Sequence, residues 1–201
     1  PRGERPLVKG VWGARSTFST GQNTVAEMAQ AARAAGLDYL VFTEDFARLK
    51  TRDAAELTRA CAAVSDTQFT AQPGIVIQDE VGNWWLYAKS PLVLPSAEHL
   101  LPDGSKFISF LPEPTGVKQM DFWAHNLPMT CASLKHRQGS MPYWDYRDYQ
   151  AVALYTYENG ALVDELAQEY PTLQQNAQGL APLSVWLVDS VAALRDALQK
   201  N

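Results

Sequence analysis

Histidine is scarce in this chain: His99, His125 and His136 are the three it has among 201 residues. Polynuclear metal sites rich in imidazole need more than that, so no metal and no cofactor are expected. Cysteine is scarcer still, with Cys61 and Cys131. Cys61 falls in the periodic set Leu57, Cys61, Val64, which predicts a thiol on the buried face of a helix. Two cysteines do not fix a redox compartment. Lysine and arginine form no run and no basic helix face, and the net charge is -5. A nucleic-acid partner held by phosphate neutralisation is therefore not expected; a small anion, which needs only one or two local cations, remains open. No apolar run approaches the roughly 20 residues that span a bilayer. There is no signal-peptide pattern. The chain opens on Pro1, as a piece of a longer protein would, or a mature exported chain; the compartment is left open.

What the chain does have is alternation of strand and helix. Residues 8–15 read as a strand. Thr24 offers an N-cap with Glu27 three residues on, a capping box. Val25, Met28, Ala29, Ala32 and Ala35 then share one helical face, and Gly36 is a natural stop. Leu37–Thr43 is a continuous apolar run of the kind buried on both faces of a parallel sheet. A second helix is expected over Asp53–Val64. Ile75–Ile77 and Trp84–Tyr87 flank an acidic turn and predict a hairpin. Residues 89–118 are dense in proline, with a short strand at Phe107–Leu111. Met120–Ala124 is a further candidate strand. Residues 126–148 read as a long loop ending in MPYWDYRDY. Gln150–Tyr157 reads as a strand, Ala161–Tyr170 as a helix, Leu183–Val188 as a strand, and Ser190–Gln199 as a helix capped by Ser190. No composition shift marks a boundary, so residues 1–201 are expected to form one α/β domain.

The stretch Val11–Gly21, VWGARSTFSTG, resembles the first strand and loop of the PHP (polymerase and histidinol phosphatase) family, whose pattern is close to D-x-H-x-H-T-x-x-S-D-G. The strand ending Phe42–Asp45 resembles that family's T-D-H, Gln72–Ile77 its P-G-I-E, and Ala124–His125 its A-H-P. The resemblance is best over residues 9–46. It implies a distorted (β/α)7 TIM-like barrel of PHP type, with metal-dependent phosphoesterase chemistry at the C-terminal rim of the strands. The letters that carry this chemistry differ. The first two histidines of the pattern fall on Gly13 and Arg15, the loop aspartate on Thr20, the histidine of T-D-H on Asp45 and the glutamate of P-G-I-E on Val76. Arg15 sets a fixed cation where divalent cations would sit. The scaffold is thus expected without its usual ligand set.

Two functions follow as expectations. One is a catalytically degenerate PHP-like domain that binds a ligand or partner, or serves as a structural module. Arg15, Ser19 and Thr20 would contact a small polar or anionic ligand, with Arg15 paired to Glu44–Asp45 across the barrel mouth. Trp84 and Trp144 are candidates for stacking on a sugar ring, and equally for packing. The aromatic loop 141–149 is a candidate protein interface. The other is a hydrolase with a rebuilt, metal-poor site acting on a phosphoester or a glycan, with Arg15 holding the anion, Glu44 or Asp45 as base and His125 as acid or ligand.

Overall fold

A computed structural model describes residues 8–49, 51–78, 82–88, 99–100, 106–107, 129–131, 134–136, 151–158, 161–164 and 181–200. Strand β1 (Gly10–Ala14) leads into helix α1 (Val25–Ala34), then β2 (Tyr39–Phe42) and β3 (Glu44–Asp45). Helix α2 (Thr51–Val64), β4 (Thr70–Gln72), β5 (Gly74–Gln78) and β6 (Gly82–Ala88) follow. The remaining elements are β7 (His99–Leu100), β8 (Lys106–Phe107), β9 (Met129–Cys131), β10 (Leu134–His136), β11 (Ala151–Glu158), β12 (Ala161–Asp164), β13 (Ala181–Trp186) and α3 (Val191–Lys200).

The first βαβαβ unit forms as its residue pattern predicts. Thr24 Oγ1 accepts from the Glu27 N–H at 3.2 Å, and the Thr24 N–H donates to Glu27 Oε2 at 2.8 Å. Both are donors that a helix start would otherwise leave unsatisfied. Val25, Met28, Ala29, Ala31 and Ala32 are buried; Ala35, expected with them, is exposed at the C-cap. Ser190 caps α3 by accepting from the Ala193 N–H at 3.1 Å.

Strands β1, β2 and β4 are parallel, in the order β1-β2-β4. Val41 opposes Gln72, and Glu44 opposes Ile75, an offset of 31 in both cases. So β2–β3 and β4–β5 are one continuous parallel pair, interrupted where Pro73 has no N–H to give and where the Thr43 N–H turns to Ala14 O instead, at 2.7 Å. On the far side of β1, the Arg15 N–H donates to Val188 O at 2.9 Å, and Ala14 bridges Val188 in parallel. This joins the β12-β11-β13 sheet to β1. Beyond β5 the sheet turns antiparallel through β6, with β9 and β10.

Both faces of the sheet are covered, which explains why β2 is apolar throughout. On one face Val11, Ala14, Leu40, Phe42, Ala71 and Ile75 pack against Met28, Leu57, Cys61 and Leu194 of the three helices. On the other, Trp12, Val41, Val76 and Val185 form a second cluster. Each fully buried large side chain contributes roughly 1.5–3 kcal/mol of transfer free energy.

Two expectations change. Residues 161–164 are a strand, antiparallel to β11 with Glu158 opposite Ala161. The pair Asn159–Gly160 between them is the residue pair that two-residue hairpins favour, and the helical periodicity of the following letters masked it. The closed (β/α)7 barrel is also not seen: among the described strands no hydrogen-bonded pairing closes the sheet on itself. A mixed α/β sheet with a parallel centre is what the structure has. The segments expected as strands at 108–111 and 120–124 lie outside the described residues, as does most of the loop 126–148.

Candidate functional site

Strand β1 carries one residue more than its partner. Trp12 opposes Val41, but Ala14, not Gly13, opposes Phe42. Gly13 takes up the extra residue as a bulge at φ 122°. A Cβ there would lie 2.3 Å from the Trp186 carbonyl oxygen. Positive φ and backbone approach together require glycine. The bulge inverts side-chain parity. Ala14 packs with Phe42 on the helix side, and alternation carries Arg15 to the opposite face, beside Thr43.

After Arg15 the chain forms a tight loop. The Gly21 N–H donates to Ser16 O at 2.8 Å, the Ser19 N–H to the same oxygen at 3.1 Å, and the Thr17 N–H to Asn23 O at 3.0 Å. The Gln22 N–H donates to Asp189 O at 2.7 Å, tying the loop to the turn before α3. Glu44 is the anchor. It is 0 % exposed and lies on the helix side of the sheet, level with Ile75. Its Oε1 accepts from the Ser16 N–H at 2.9 Å and from Ser16 Oγ at 2.5 Å; its Oε2 accepts from Ser19 Oγ. Ser19 Oγ in turn accepts from the Asp45 N–H at 3.0 Å.

Burial pushes the Glu44 carboxyl up to about 7, against the pull of the Ser16 and Ser19 donors and, more weakly, of the Arg15 charge. Cys61, buried in the same layer, has its thiol pushed above the ordinary range by burial and then by the Glu44 charge.

The expected pairing of Arg15 with Glu44–Asp45 is not formed. Glu44 faces the helices, with both oxygens taken by the loop. Arg15 donates through Nη1 to Thr20 Oγ1 at 3.2 Å, and its Nε is buried without an acceptor. Asp45 Oδ1 accepts from the Ala47 N–H at 2.9 Å in a turn. The structure therefore brings together Arg15 with Thr20, and Glu44 with Ser16 and Ser19. Trp84 lies in β6, opposite Ile77 of β5 and Leu134 of β10. His125, Trp144 and the aromatic loop 141–149 lie outside the described residues. Thr43 and Gln72 were not singled out by residue type. Each has a buried side-chain atom with no partner, Thr43 Oγ1 and Gln72 Nε2. Strand alternation sets Thr43 on the Val41 face, and the pairing register, not alternation within one strand, brings Gln72 there.

At the positions where the resemblance implies metal ligands, the residues described do not fit a polynuclear metal centre. Gly13 has no side chain, Arg15 is cationic, Val76 sits in an apolar cluster, and both Glu44 oxygens are committed. Among the described residues no three histidine, cysteine, aspartate or glutamate side chains group to hold an ion.

The fold is mixed α/β with a parallel centre. The chain is similar in structure to a two-domain protein from Bacteroides vulgatus ATCC 8482 described as containing a predicted PHP-like metal-dependent phosphoesterase, with a TM-score of 0.59 and 11% identity. The match covers 93% of this chain and 53% of that one, so this chain spans about half the length of its structural neighbour. No protein-family model and no curated protein matches the sequence. Among the described residues no helix is long and apolar enough to cross a membrane.

Proposed function

We propose that residues 1–201 form one PHP-like domain that binds a small polar ligand at the C-terminal ends of the parallel strands, with Arg15 as its anchor. The observation that carries this is the Arg15 Nε, buried at the end of β1 with no acceptor. Of the two carboxylates near it, Glu44 is spent on fastening the Ser16–Gly21 loop and Asp45 accepts from the Ala47 N–H. Arg15 is half-buried, with its Nη1 bond to Thr20 exposed, but a buried N–H left without an acceptor is costly. A ligand that supplies acceptor oxygens relieves that cost and gains charge-assisted hydrogen bonds. Ligands of open α/β sheets enter at this end of the strands.

In this reading Glu44 is a structural residue, since a base needs a path to its substrate. Thr20 orients the guanidinium. Ser19 is held between Glu44 and the Asp45 N–H and is not free to meet a ligand. The ligand is held without resident metals.

A second reading is a hydrolase that uses Asp45 as base. It is favoured by the metal-dependent phosphoesterase described in the structural neighbour. By register Asp45 stands beside Val76, on the same face as Arg15 and Thr43.

One set of measurements separates the two. The protein purified without chelators is assayed for metal content, for turnover of p-nitrophenyl phosphate with Mn²⁺, and for thermal shift against polar ligands. Binding predicts substoichiometric metal, no Mn²⁺-dependent turnover, and a ligand-induced rise in Tm that Arg15→Gln abolishes. Metal-dependent turnover lost in Asp45→Asn would establish the second reading.

A further inference from the structure

The Arg15 Nε is one of three side-chain donor atoms on a single face that are buried without a partner. Val41 and Val76 define that face, packed with Trp12 and Val185. Gln72 opposes Val41, so its side chain belongs to the same side. Thr43 follows Val41 by two residues with the register unbroken, and belongs there as well. Arg15 reaches it through the Gly13 bulge. Arg15 Nε, Thr43 Oγ1 and Gln72 Nε2 are all buried, and none has a hydrogen-bond partner. Thr43 and Arg15 are neighbours across β1–β2. Gln72 stands one pleat lower on the next strand, roughly 7 Å along the sheet. At the level of Thr43 on that strand the residue is Gly74, which puts no side chain between them.

Buried polar groups are nearly always satisfied, so three orphans on one face need an explanation. A guanidinium N–H and an amide N–H₂ can only donate, and a hydroxyl can donate. Such a set calls for acceptor oxygens. We infer that Arg15, Thr43 and Gln72 form a metal-free cradle for a small oxyanion, a phosphate or a carboxylate, at the ends of β1, β2 and β4. This rests on the ligand-binding reading above and names its ligand class and two further binding residues. The arrangement substitutes fixed donors for metal ions as the electropositive holder of the ligand's oxygens. The guanidinium supplies the charge, and the hydroxyl and amide fix orientation.

The test is titration calorimetry on the intact chain with inorganic phosphate, acetate and glucose, alongside Tm measurements without ligand. Phosphate or acetate is expected to bind and glucose not to; which anion binds more tightly identifies the source. Arg15→Gln should abolish binding, and Thr43→Val and Gln72→Met should each weaken it about tenfold, the loss for a hydrogen bond to a charged acceptor. Without ligand, Thr43→Val should melt no lower than the parent chain, because it removes a hydroxyl that has no partner. A clear fall in its Tm would show the hydroxyl already bonded and would overturn the cradle. Anion binding lost in Arg15→Gln but untouched by Thr43→Val and Gln72→Met would also overturn it while leaving the ligand-binding reading standing. So would binding of glucose alone. Heat from none of the three probes would overturn both.

Discussion

Glu44 is the residue through which pH reaches this fold. Its ordinary value is 4.5, and burial raises it to about 7 in the native chain. The groups around it are the Ser16 and Ser19 donors, the Arg15 charge and the Cys61 thiol. A raised folded-state value means that the native state holds the proton more tightly than the unfolded chain. That stabilisation is fully present below about pH 4.5 and is lost as pH rises through about 7, a swing on the order of 3 kcal/mol. Glu44→Gln removes the titration and can keep the loop, its amide oxygen accepting from Ser16 and its N–H₂ donating to Ser19. The difference in unfolding free energy between the parent chain and Glu44→Gln should shrink by about that amount from pH 4.5 to pH 8. Urea unfolding at several pH values measures it, and a constant difference would show that Glu44 does not titrate in the fold.

At the scale of elements, the most exposed dependence is on Gly13. Alanine there meets both a φ of 122° and the Trp186 carbonyl. Gly13→Ala should cost about 2–4 kcal/mol or prevent folding, read as a drop in Tm. Thr24→Ala should cost about 1 kcal/mol through the lost capping box. That box, helices α1 to α3, β1, β2 and the β5–β6 hairpin were legible in the letters, because caps, periodicity and turn pairs are local signals. The strand Ala161–Asp164 was misread as a helix, since four residues hold too little period to outweigh the letters after them. The site was legible only in part. The positions of Arg15, Glu44 and Asp45 at strand ends were legible. Their facing was not, because a single bulged residue reverses which side chains share a face. Thr43 and Gln72 carry no chemical signature in sequence. They become visible only through the register that sets them beside Arg15.

For the whole molecule, the core between helices and sheet gives a probe of global opening. Cys61 is 1 % exposed, on α2 beneath the sheet, among the buried set that includes Phe42 and Leu57. Its thiol can meet a reagent only when α2 leaves the sheet. In a Cys131→Ser background, labelling by a disulfide reagent should be slower in buffer than in denaturant by about a thousandfold or more, tracking global stability. Fast labelling in buffer would mean that α2 opens independently of the rest. The Arg33–Asp66 pair at 2.8 Å, with Arg33 over the Phe69 ring at 4.6 Å, joins α1 to the turn after α2. It is largely solvated and should add little to the barrier.

The bulge at Gly13 lets β1 lose a residue and keep its facing. With the extra residue present, Ala14 opposes Phe42 on the helix side, and alternation sets Arg15 beside Thr43 and Ser16 toward Glu44. Without Gly13, Ala14 would follow Trp12 directly and still oppose Phe42, so Arg15 and Ser16 would keep their faces and the positive-φ position would disappear. A residue gained between Ala14 and Arg15 would instead exchange the two, turning a guanidinium toward Met28 and Cys61 and taking Ser16 away from Glu44. Spacing on the two sides of the bulge is therefore unequal in its consequences: a loss before Ala14 is absorbed, and a gain after it is not.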